Sequence, residues 1–390
     1  MGHDEFKCDF LGQCGGCSSG NLSYGEQARE KIQRTMTNFP GVVPEFHSLG
    51  VKGIRDRGDF IISNNQFCLY SIAKTSGVRE LIPIQECPQL TEDAQIIFKE
   101  LQKLHWPVKK GSIRFRASPV TEYKAGLWLD FSNQDIKSLL DSGSLLNELL
   151  ERSFYIEVGQ KKKRVVKLGN QLKLAEVEYH PWSKTYYEDK EILLYSTVSS
   201  FTQTGLQANR KFSALLQEEL HQLQSQSLIE FGSGIGTLTF PALSEGRKVH
   251  CCEFEATALE GLKKTISIYD RLYTFSERIS LSVGNFHKKQ DRDFFRNYDT
   301  ILLNPPRSGI GDFLISIAGE TENDSQDSGL YYKQLKWPDH ILYLSCFMDS
   351  MKKDSLVLEK MGYQLKKMHI IDQFPQSPHC ENLGVWTRNY

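Results

Sequence analysis

The sequence has little that would direct it to a membrane or out of the cell. It contains no run of about 18 apolar residues, the length that a membrane-spanning helix needs. Its opening residues, MGHDEFKCDF, have no apolar signal core, so we expect a cytoplasmic protein without a membrane partner. A net charge of −1 gives no overall basic field, so any site for a polyanion must come from local patches.

Disulfide bonds are also not expected, although the 390 residues include nine cysteines. Without an export signal, clustered cysteines usually bind metal, and lone ones serve in the core or in catalysis. The length predicts two or three domains, and a hydrophobic fraction of 39% is sufficient for a core. No internal repeat occurs, and we interpret the polar run GETENDSQDSG, residues 319–329, as an inserted loop.

The first part of the chain carries a group of cysteines. Cys8, Cys14 and Cys17 follow a C-x5-C-x2-C spacing, and Cys87 stands directly before a proline. Two glycines between Cys14 and Cys17 free the backbone to wrap closely around a ligand. Four thiolates can close a site for zinc or for an iron–sulfur cluster. The spacing alone leaves open an iron–sulfur cluster, a zinc ion and unrelated cysteines.

The middle of the chain, residues 91–192, contains strand-like pieces such as SIRFRAS and AGLWLDFS and a helical run, LLNELLERS. The run GQKKKRVVK, residues 159–167, is a local basic patch. It is typical of a solvated strand edge, and it also fits a ridge that contacts phosphates.

The last part of the chain alternates predicted strands and helices. Strand Leu228–Phe231 leads into a glycine loop at 232–236, a helix, and strand Lys248–Cys252, which ends at Glu253. This is the first β-α-β unit of a doubly wound sheet, in which an acid at that position bonds ribose hydroxyls. The loop lacks the full dinucleotide pattern G-x-G-x-x-G. Glycines following an acidic residue, here Glu230, are more typical of enzymes that use S-adenosylmethionine.

Two further strands end in residues that can carry chemistry. Asn304 follows a short apolar strand and is held by two prolines, as in the loop with which amino-methyltransferases grip a nitrogen, but Arg307 replaces the usual aromatic residue. Cys346 follows the apolar run at 341–344. A thiol at the carboxyl end of such a strand is either a buried core residue or a nucleophile.

Taken together, the motifs resemble the RNA uracil-C5 methyltransferases, which make 5-methyluridine. They occur in the order of that family: SFTQTG with Gln203, FGSGIGTL, CCEFE with Glu253, NPPRSGIG, YLSC with Cys346, and FPQSPHCENL with Glu381. The cysteine spacing with a later Cys-Pro is similar to the iron–sulfur module of the family. The chain most resembles the small bacterial 23S ribosomal RNA branch, which has that cluster and lacks a TRAM domain.

The resemblance implies a role for each matched residue. Cys346 would attack uracil C6, and Glu381 would remove the proton from C5. S-adenosylmethionine would be held by Gln203, Gly232, Gly234, Glu253, Asn285 and Asn304, and a 4Fe–4S cluster by Cys8, Cys14, Cys17 and Cys87. The sequence departs from the family in having Phe347 where asparagine is common after the nucleophile, and the match at Asn285 is looser.

These observations predict an α/β protein with three parts. Residues 1–90 would form the iron–sulfur module, residues 91–192 a small α+β domain that contacts RNA, and residues 193–390 a Rossmann-like methyltransferase domain. We expect a monomer that methylates a single-stranded or flipped-out uridine, in ribosomal RNA. The alternatives are a transfer RNA uracil-C5 methyltransferase, a methyltransferase that acts on nitrogen, and a non-catalytic iron–sulfur protein that binds RNA.

Overall fold

The structure is a computed structural model that describes residues 6–72, 79–284, 297–311 and 337–388. Its α-helices are α1 Tyr24–Asn38, α2 Glu92–Gln102, α3 Asn133–Ser142, α4 Ser144–Glu151, α5 Leu206–Gln222, α6 Thr239–Ala242, α7 Ala256–Tyr273 and α8 Met348–Lys360. Its strands are β1 Glu45–Ser48, β2 Arg57–Ser63, β3 Gln66–Tyr70, β4 Leu81–Pro83, β5 Lys110–Ala117, β6 Ala125–Phe131, β7 Phe154–Val158, β8 Lys163–Leu168, β9 Gln171–Glu176, β10 His180–Tyr187, β11 Lys190–Ser196, β12 Ser227–Phe231, β13 Lys248–Glu253, β14 Ile279–Val283, β15 Thr300–Leu303, β16 His340–Ser345, β17 Tyr363–Asp372 and β18 Glu381–Arg388. None of the helices in these ranges is long and apolar enough to cross a membrane.

The C-terminal sheet has the doubly wound form that the sequence predicts. Its strand order is β1-β17-β18-β16-β15-β12-β13-β14, in which β12 to β16 run parallel and β18 runs antiparallel to both neighbours. The central strands are nearly continuous apolar runs because helices cover both faces. The chain passes from β12 to β13 on one side and later to β15 on the other, and this reversal opens a crevice at the carboxyl ends.

The second sheet, β4-β3-β2-β5-β6-β7-β8-β9, packs its own core against α2. Phe60 stacks on Phe98 with ring centroids 4.3 Å apart, and Phe115 continues the stack 6.1 Å from Phe60. Strands β10 and β11 pair with each other in a separate two-stranded sheet. The basic run at 159–167 forms a turn and β8, and Lys163 and Arg164 form ion pairs with Glu176 and Glu178.

The N-terminal segment contributes to both sheets. Strand β1 pairs in parallel with β17, while β2 to β4 join the sheet of the middle region. Helix α1 begins with a capping box between Ser23 and Glu26, and its Lys31 forms a buried ion pair of 2.7 Å with Asp372. The division of the chain into domains at residues 90 and 192 stays a prediction. Strand pairing shows in addition that residues 1–90 contribute strands to both sheets.

Candidate active site

A cavity of about 790 Å³ lies at the carboxyl edge of the C-terminal sheet. Its position is the topological switch point, where open α/β sheets bind ligands, and its volume suits a cofactor-sized molecule. The cavity brings together seven of the eight residues that the sequence predicts for catalysis and cofactor binding: Gln203, Gly232, Gly234, Glu253, Asn304, Cys346 and Glu381. The eighth, Asn285, lies outside the described residues, as does the polar run at 319–329.

The glycine loop depends on a backbone conformation that side chains disfavour. Gly232, Gly234 and Gly236 have φ values of +78°, +56° and +99°. A Cβ atom on Gly236 would lie 2.7 Å from a methyl group of Leu262, whereas one on Gly234 would meet no atom within 4 Å. The loop is therefore packed against the helix behind it and leaves open space on the side of the cavity.

Glu253 ends β13 and accepts hydrogen bonds from the glycine loop and from the two residues that follow it. Its carboxylate accepts hydrogen bonds of 2.7 Å from the N–H groups of Gly234, Phe254 and Glu255. These bonds fix the carboxylate next to the glycine loop, where its remaining lone pairs can accept ribose hydroxyls. The open glycine loop and the Glu253 carboxylate thus fit the adenosyl part of S-adenosylmethionine.

Cys346 and Glu381 are neighbours because of the pairing between β16 and β18. Ser345, the last residue of β16, is opposite Asn382. One step further along the antiparallel pair, Cys346 therefore lies beside Glu381. The thiol is half-buried, and the carboxyl group is only 5% exposed. A nucleophile and a proton acceptor consequently share one wall of the cavity.

The charges in this wall are coupled. Burial raises the pKa of Glu381 to about 8, while the Gln373 hydrogen bond and the Arg307 charge act against that rise. Burial, and then repulsion from Glu381, raise the pKa of the Cys346 thiol, while Arg307 lowers it by hydrogen bonding and charge. Because two anions repel each other here, the wall favours one negative charge beside Arg307 over two.

A second layer of amides supports Glu381. Gln373 Nε2 donates to Glu381 Oε1 at 2.7 Å and to Gln203 Oε1 at 3.1 Å. The sequence did not single out Gln373, because its place directly after β17 at the ligand-binding edge becomes evident only from the fold. Phe347 is the N-cap residue of α8, and its N–H donates to Ser345 Oγ at 3.1 Å.

Basic and aromatic side chains line the cavity. Arg55, Arg57 and Arg307 are among them, with Arg57 paired to Asp59, and the lining residues Phe201 and Phe254 are 65% and 69% exposed. Such a mixture of cations and flat apolar rings suits an unstacked nucleotide, which offers a phosphate and a base face. The net charge of −1 does not reveal this local patch, because positive and negative charges cancel over the whole chain.

The four predicted metal-binding cysteines come together near the same cavity. Burial, and then repulsion from Cys87, Cys14 and Cys8, raise the pKa of Cys17 to about 12. The charge of Arg55 also acts on Cys17 and Cys87, so the cysteines lie close to the cavity wall. A positively charged metal centre would offset the repulsion among the four thiolates. The site therefore fits a metal centre.

The backbone around these cysteines is tightly placed. The N–H of Gly15 donates to Tyr70 O at 2.9 Å, and a Cβ atom on Gly15 would lie 3.0 Å from Ser71 O. The N–H of Gly16 points to the Cys14 sulfur at 3.4 Å. Gly15 therefore allows the loop to lie against the end of β3, and Gly16 directs its N–H to one of the sulfurs.

Comparison with known proteins identifies the enzyme class. The family model "Methyltransferase small domain" matches residues 197–315. An uncharacterized RNA methyltransferase of Bdellovibrio bacteriovorus is 34% identical over 98% of this chain and 95% of its own length. A 23S rRNA (uracil(1939)-C(5))-methyltransferase of Marinomonas is 22% identical over 97% of this chain and 80% of its own.

A solved structure shares the fold of nearly the whole chain. The tRNA (uracil-54, C5)-methyltransferase of Pyrococcus abyssi, in complex with S-adenosyl-L-homocysteine, superposes with a TM-score of 0.65. It covers 96% of this chain and 86% of its own, at 16% identity. The predicted α/β methyltransferase fold and enzyme class are confirmed: the chain belongs to the S-adenosylmethionine-dependent RNA uracil-C5 methyltransferases.

Proposed function

We propose that this protein methylates C5 of a uridine in 23S ribosomal RNA through a covalent adduct between the Cys346 sulfur and uracil C6. The observation that carries the proposal is the placement of Cys346 beside Glu381 in the cavity that also holds the glycine loop. A methyltransferase that acts on nitrogen needs no such thiol.

Uracil C5 is a weak nucleophile, so the ring must first be activated. The Cys346 thiolate adds to C6, and the electrons of the C5–C6 double bond move into the C4 carbonyl to give an enolate. S-adenosylmethionine, when bound, supplies the electrophilic methyl group for C5. The Glu381 carboxylate then takes the C5 proton, the double bond re-forms, and the C6–sulfur bond breaks to return the thiolate.

The electrostatics of the cavity wall suit this sequence. Arg307 lowers the pKa of the Cys346 thiol and so favours the thiolate that attacks. A pKa of about 8 gives Glu381 the strength of a base suited to neutral solution. When Glu381 is protonated its charge no longer opposes the neighbouring thiolate, which favours departure of the cysteine.

We further propose that Cys8, Cys14, Cys17 and Cys87 hold a 4Fe–4S cluster. Sulfurs around one tetrahedral zinc lie about 3.8 Å apart, because each Zn–S bond is about 2.3 Å. Within the described residues no three of these four sulfurs lie within 4.8 Å of one another. A 4Fe–4S cluster allows a wider spacing, because its cysteine sulfurs bind separate iron atoms. Methyl transfer is not a redox reaction, so we assign the cluster a role in structure or in RNA positioning.

The choice of ribosomal over transfer RNA rests on the sequence resemblance in the cysteine spacing and in Asn304-Pro305-Pro306-Arg307. The relatives named above include enzymes for both RNAs. We therefore propose that the protein acts on ribosomal RNA, as a monomer in the cytoplasm. Transfer RNA is the second candidate substrate, and one experiment separates the two.

The test uses 5-fluorouridine-substituted transcripts of 23S ribosomal RNA and of transfer RNA, with the full-length protein and S-adenosylmethionine. Fluorine cannot leave C5 as a proton, so the reaction should stop at a denaturant-stable protein–RNA adduct. We expect the adduct with ribosomal RNA, its loss in Cys346→Ala, and its retention in the control Cys68→Ala, a buried cysteine of the second sheet.

The outcomes are distinct. An adduct with transfer RNA alone would overturn the choice of RNA and keep the mechanism. Methyl transfer to unmodified RNA without any adduct would overturn the role of Cys346 and favour methylation of nitrogen, for which the Asn304-Pro305-Pro306 loop is the supporting feature. Cofactor binding without adduct or transfer on either RNA would contradict both parts.

A further inference from the structure

A group of metal-binding side chains lies away from the cavity and from the four cysteines. It consists of Glu45 and His47 on β1 and His369 on β17. The ligand atoms of the three side chains, a carboxylate oxygen and two ring nitrogens, all lie within 4.8 Å of one another. None of these residues lines the catalytic cavity.

The pairing of the two strands explains why these side chains meet. Strands β1 and β17 run parallel, with Glu45 opposite His369 and His47 opposite Ile371. Glu45 and His47 are two residues apart and therefore point to the same face of the sheet. His47 Nε2 lies 3.1 Å from His369 Nδ1, and Glu45 Oε2 lies 3.5 Å from the same nitrogen.

A buried carboxylate orients the ring of His369. Its Nε2 lies 3.1 Å from Glu219 Oε1, which also accepts from Lys367 at 3.0 Å. The side chains of His369 and Glu219 are each 2% exposed. Because Nε2 faces Glu219, Nδ1 is the ring nitrogen of His369 that faces Glu45 and His47. Carboxylate–histidine pairs of this kind orient histidines that bind metal.

The three facing groups each offer one atom that can bind a metal. A ring nitrogen of each histidine and a carboxylate oxygen of Glu45 lie within reach of a single ion. A divalent cation there would be bound by all three at once. The ring nitrogens are 3.1 Å apart, close to the roughly 3.3 Å expected for two nitrogens on one tetrahedral zinc.

The surroundings of the group allow an ion to enter. The Glu45 side chain is 62% exposed, so an ion can reach the group from solvent. The charge of Lys211 acts on His47 and opposes a cation. Glu45 and Glu219 supply two negative charges, of which that of Glu219 is already paired with Lys367. Two imidazoles and one carboxylate are a ligand set typical of zinc and related transition metals rather than of magnesium or calcium.

We propose that Glu45, His47 and His369 form a zinc-class metal site that fastens the N-terminal strand β1 to the last part of the chain. Water would occupy the fourth position. The two histidines are 322 positions apart, so the ion would close a long loop and stabilise the folded state when bound.

The probe is Co²⁺, followed by Zn²⁺, added to full-length protein whose cysteine site is already loaded. Cobalt bound by nitrogen and oxygen gives visible ligand-field bands without the sulfur-to-metal charge-transfer bands of a cysteine site. We expect one equivalent of such cobalt, displaced by zinc, and a higher melting temperature with Zn²⁺. Glu45→Gln, an exposed substitution, and His47→Asn should each weaken binding roughly tenfold or more.

The matched control is His221→Asn. His221 also contacts a carboxylate, that of Glu245 at 2.6 Å, but lies outside the group, so binding should be unchanged. Equal cobalt uptake by wild type and both ligand variants would overturn the proposal, as would a spectrum containing only sulfur-bound cobalt. RNA methylation is a separate readout, and a negative result for the metal leaves the proposed function unaffected.

Discussion

Gln373 donates a 2.7 Å hydrogen bond to Glu381 in the wall of the cavity. Burial raises the pKa of Glu381 to about 8, and this hydrogen bond is the largest influence that acts against the rise. The amide therefore does two things: it holds the carboxylate in place beside Cys346, and it keeps the ionised form of the proposed base available near neutral pH.

Replacement of Gln373 by methionine should move the pH dependence of methylation upward. Without the hydrogen bond the pKa of Glu381 rises further, so a smaller fraction of the carboxyl group is ionised at neutral pH, about tenfold smaller if the pKa rises by one. Single-turnover methylation from about pH 6 to pH 9 measures this change. Gln364→Met, an exposed change on β17, is the control. A lower rate with an unmoved profile would mean that Gln373 only positions Glu381.

Arg307 and Glu381 should have opposite effects on the reactivity of Cys346. Glu381→Gln removes a repelling charge and should lower the pKa of the thiol, whereas Arg307→Gln should raise it. At a pH below that pKa, iodoacetamide should therefore modify Cys346 faster in the first variant and more slowly in the second. Mass spectrometry of the Cys346 peptide gives the rates, with the Cys68 peptide as internal reference. Changes of equal sign would contradict the coupling.

The sequence was most informative where functional residues lie close together along the chain. The glycine loop and Glu253 belong to one β-α-β unit, and the cysteines Cys8, Cys14 and Cys17 lie within one loop, so local spacing predicted both groups. Cys346 and Glu381 are separate motifs. Their adjacency follows from the register of β16 and β18, in which Ser345 is opposite Asn382, and no local pattern specifies that register.

Other features depend on long-range packing and had no local signal. A lone glutamine such as Gln373 follows many strands, and only its contact with Glu381 marks it as part of the site. The pairing of β1 with β17 joins the two ends of the chain, so His47 and His369 could not be connected from sequence alone. The arginines at 55 and 57 are plain in the sequence as charges, but their place in the lining of the cavity is a property of the fold.

The buried carboxyl group of Glu381 should make the native state less stable at alkaline pH. Its pKa rises on folding from 4.5 to about 8, so the native state binds the proton more tightly than the unfolded state. The free energy of unfolding should thus fall as pH rises between these values, by on the order of a few kcal/mol at this residue. Glu381→Gln removes that contribution, while the amide oxygen introduced at position 381 can still accept the hydrogen bond from Gln373 Nε2.

The measurement is urea unfolding of wild type and Glu381→Gln at about pH 5 and about pH 8.5. The variant should gain stability relative to wild type at the higher pH, as expected when a functional group is held in an unfavourable environment. Glu255→Gln, which removes an exposed carboxylate in the lining of the cavity, should follow wild type. A constant difference between wild type and Glu381→Gln at both values would show that the carboxyl group is not buried as described.

Replacement of Cys17 by serine should release the proposed cluster and loosen the N-terminal segment. A hydroxyl group is a poor iron ligand, so we expect less iron and sulfide per chain, loss of the brown absorption and a lower melting temperature. The N–H of Ser19, two residues after Cys17, donates to Gln376 O at 2.8 Å and so ties the cysteine loop to the segment that precedes Glu381. RNA methylation should therefore also fall. The control Cys68→Ser alters a buried thiol that is not one of the four and should retain the iron. Zinc in place of iron, in protein purified without oxygen, would contradict the cluster and assign the four sulfurs to a single ion.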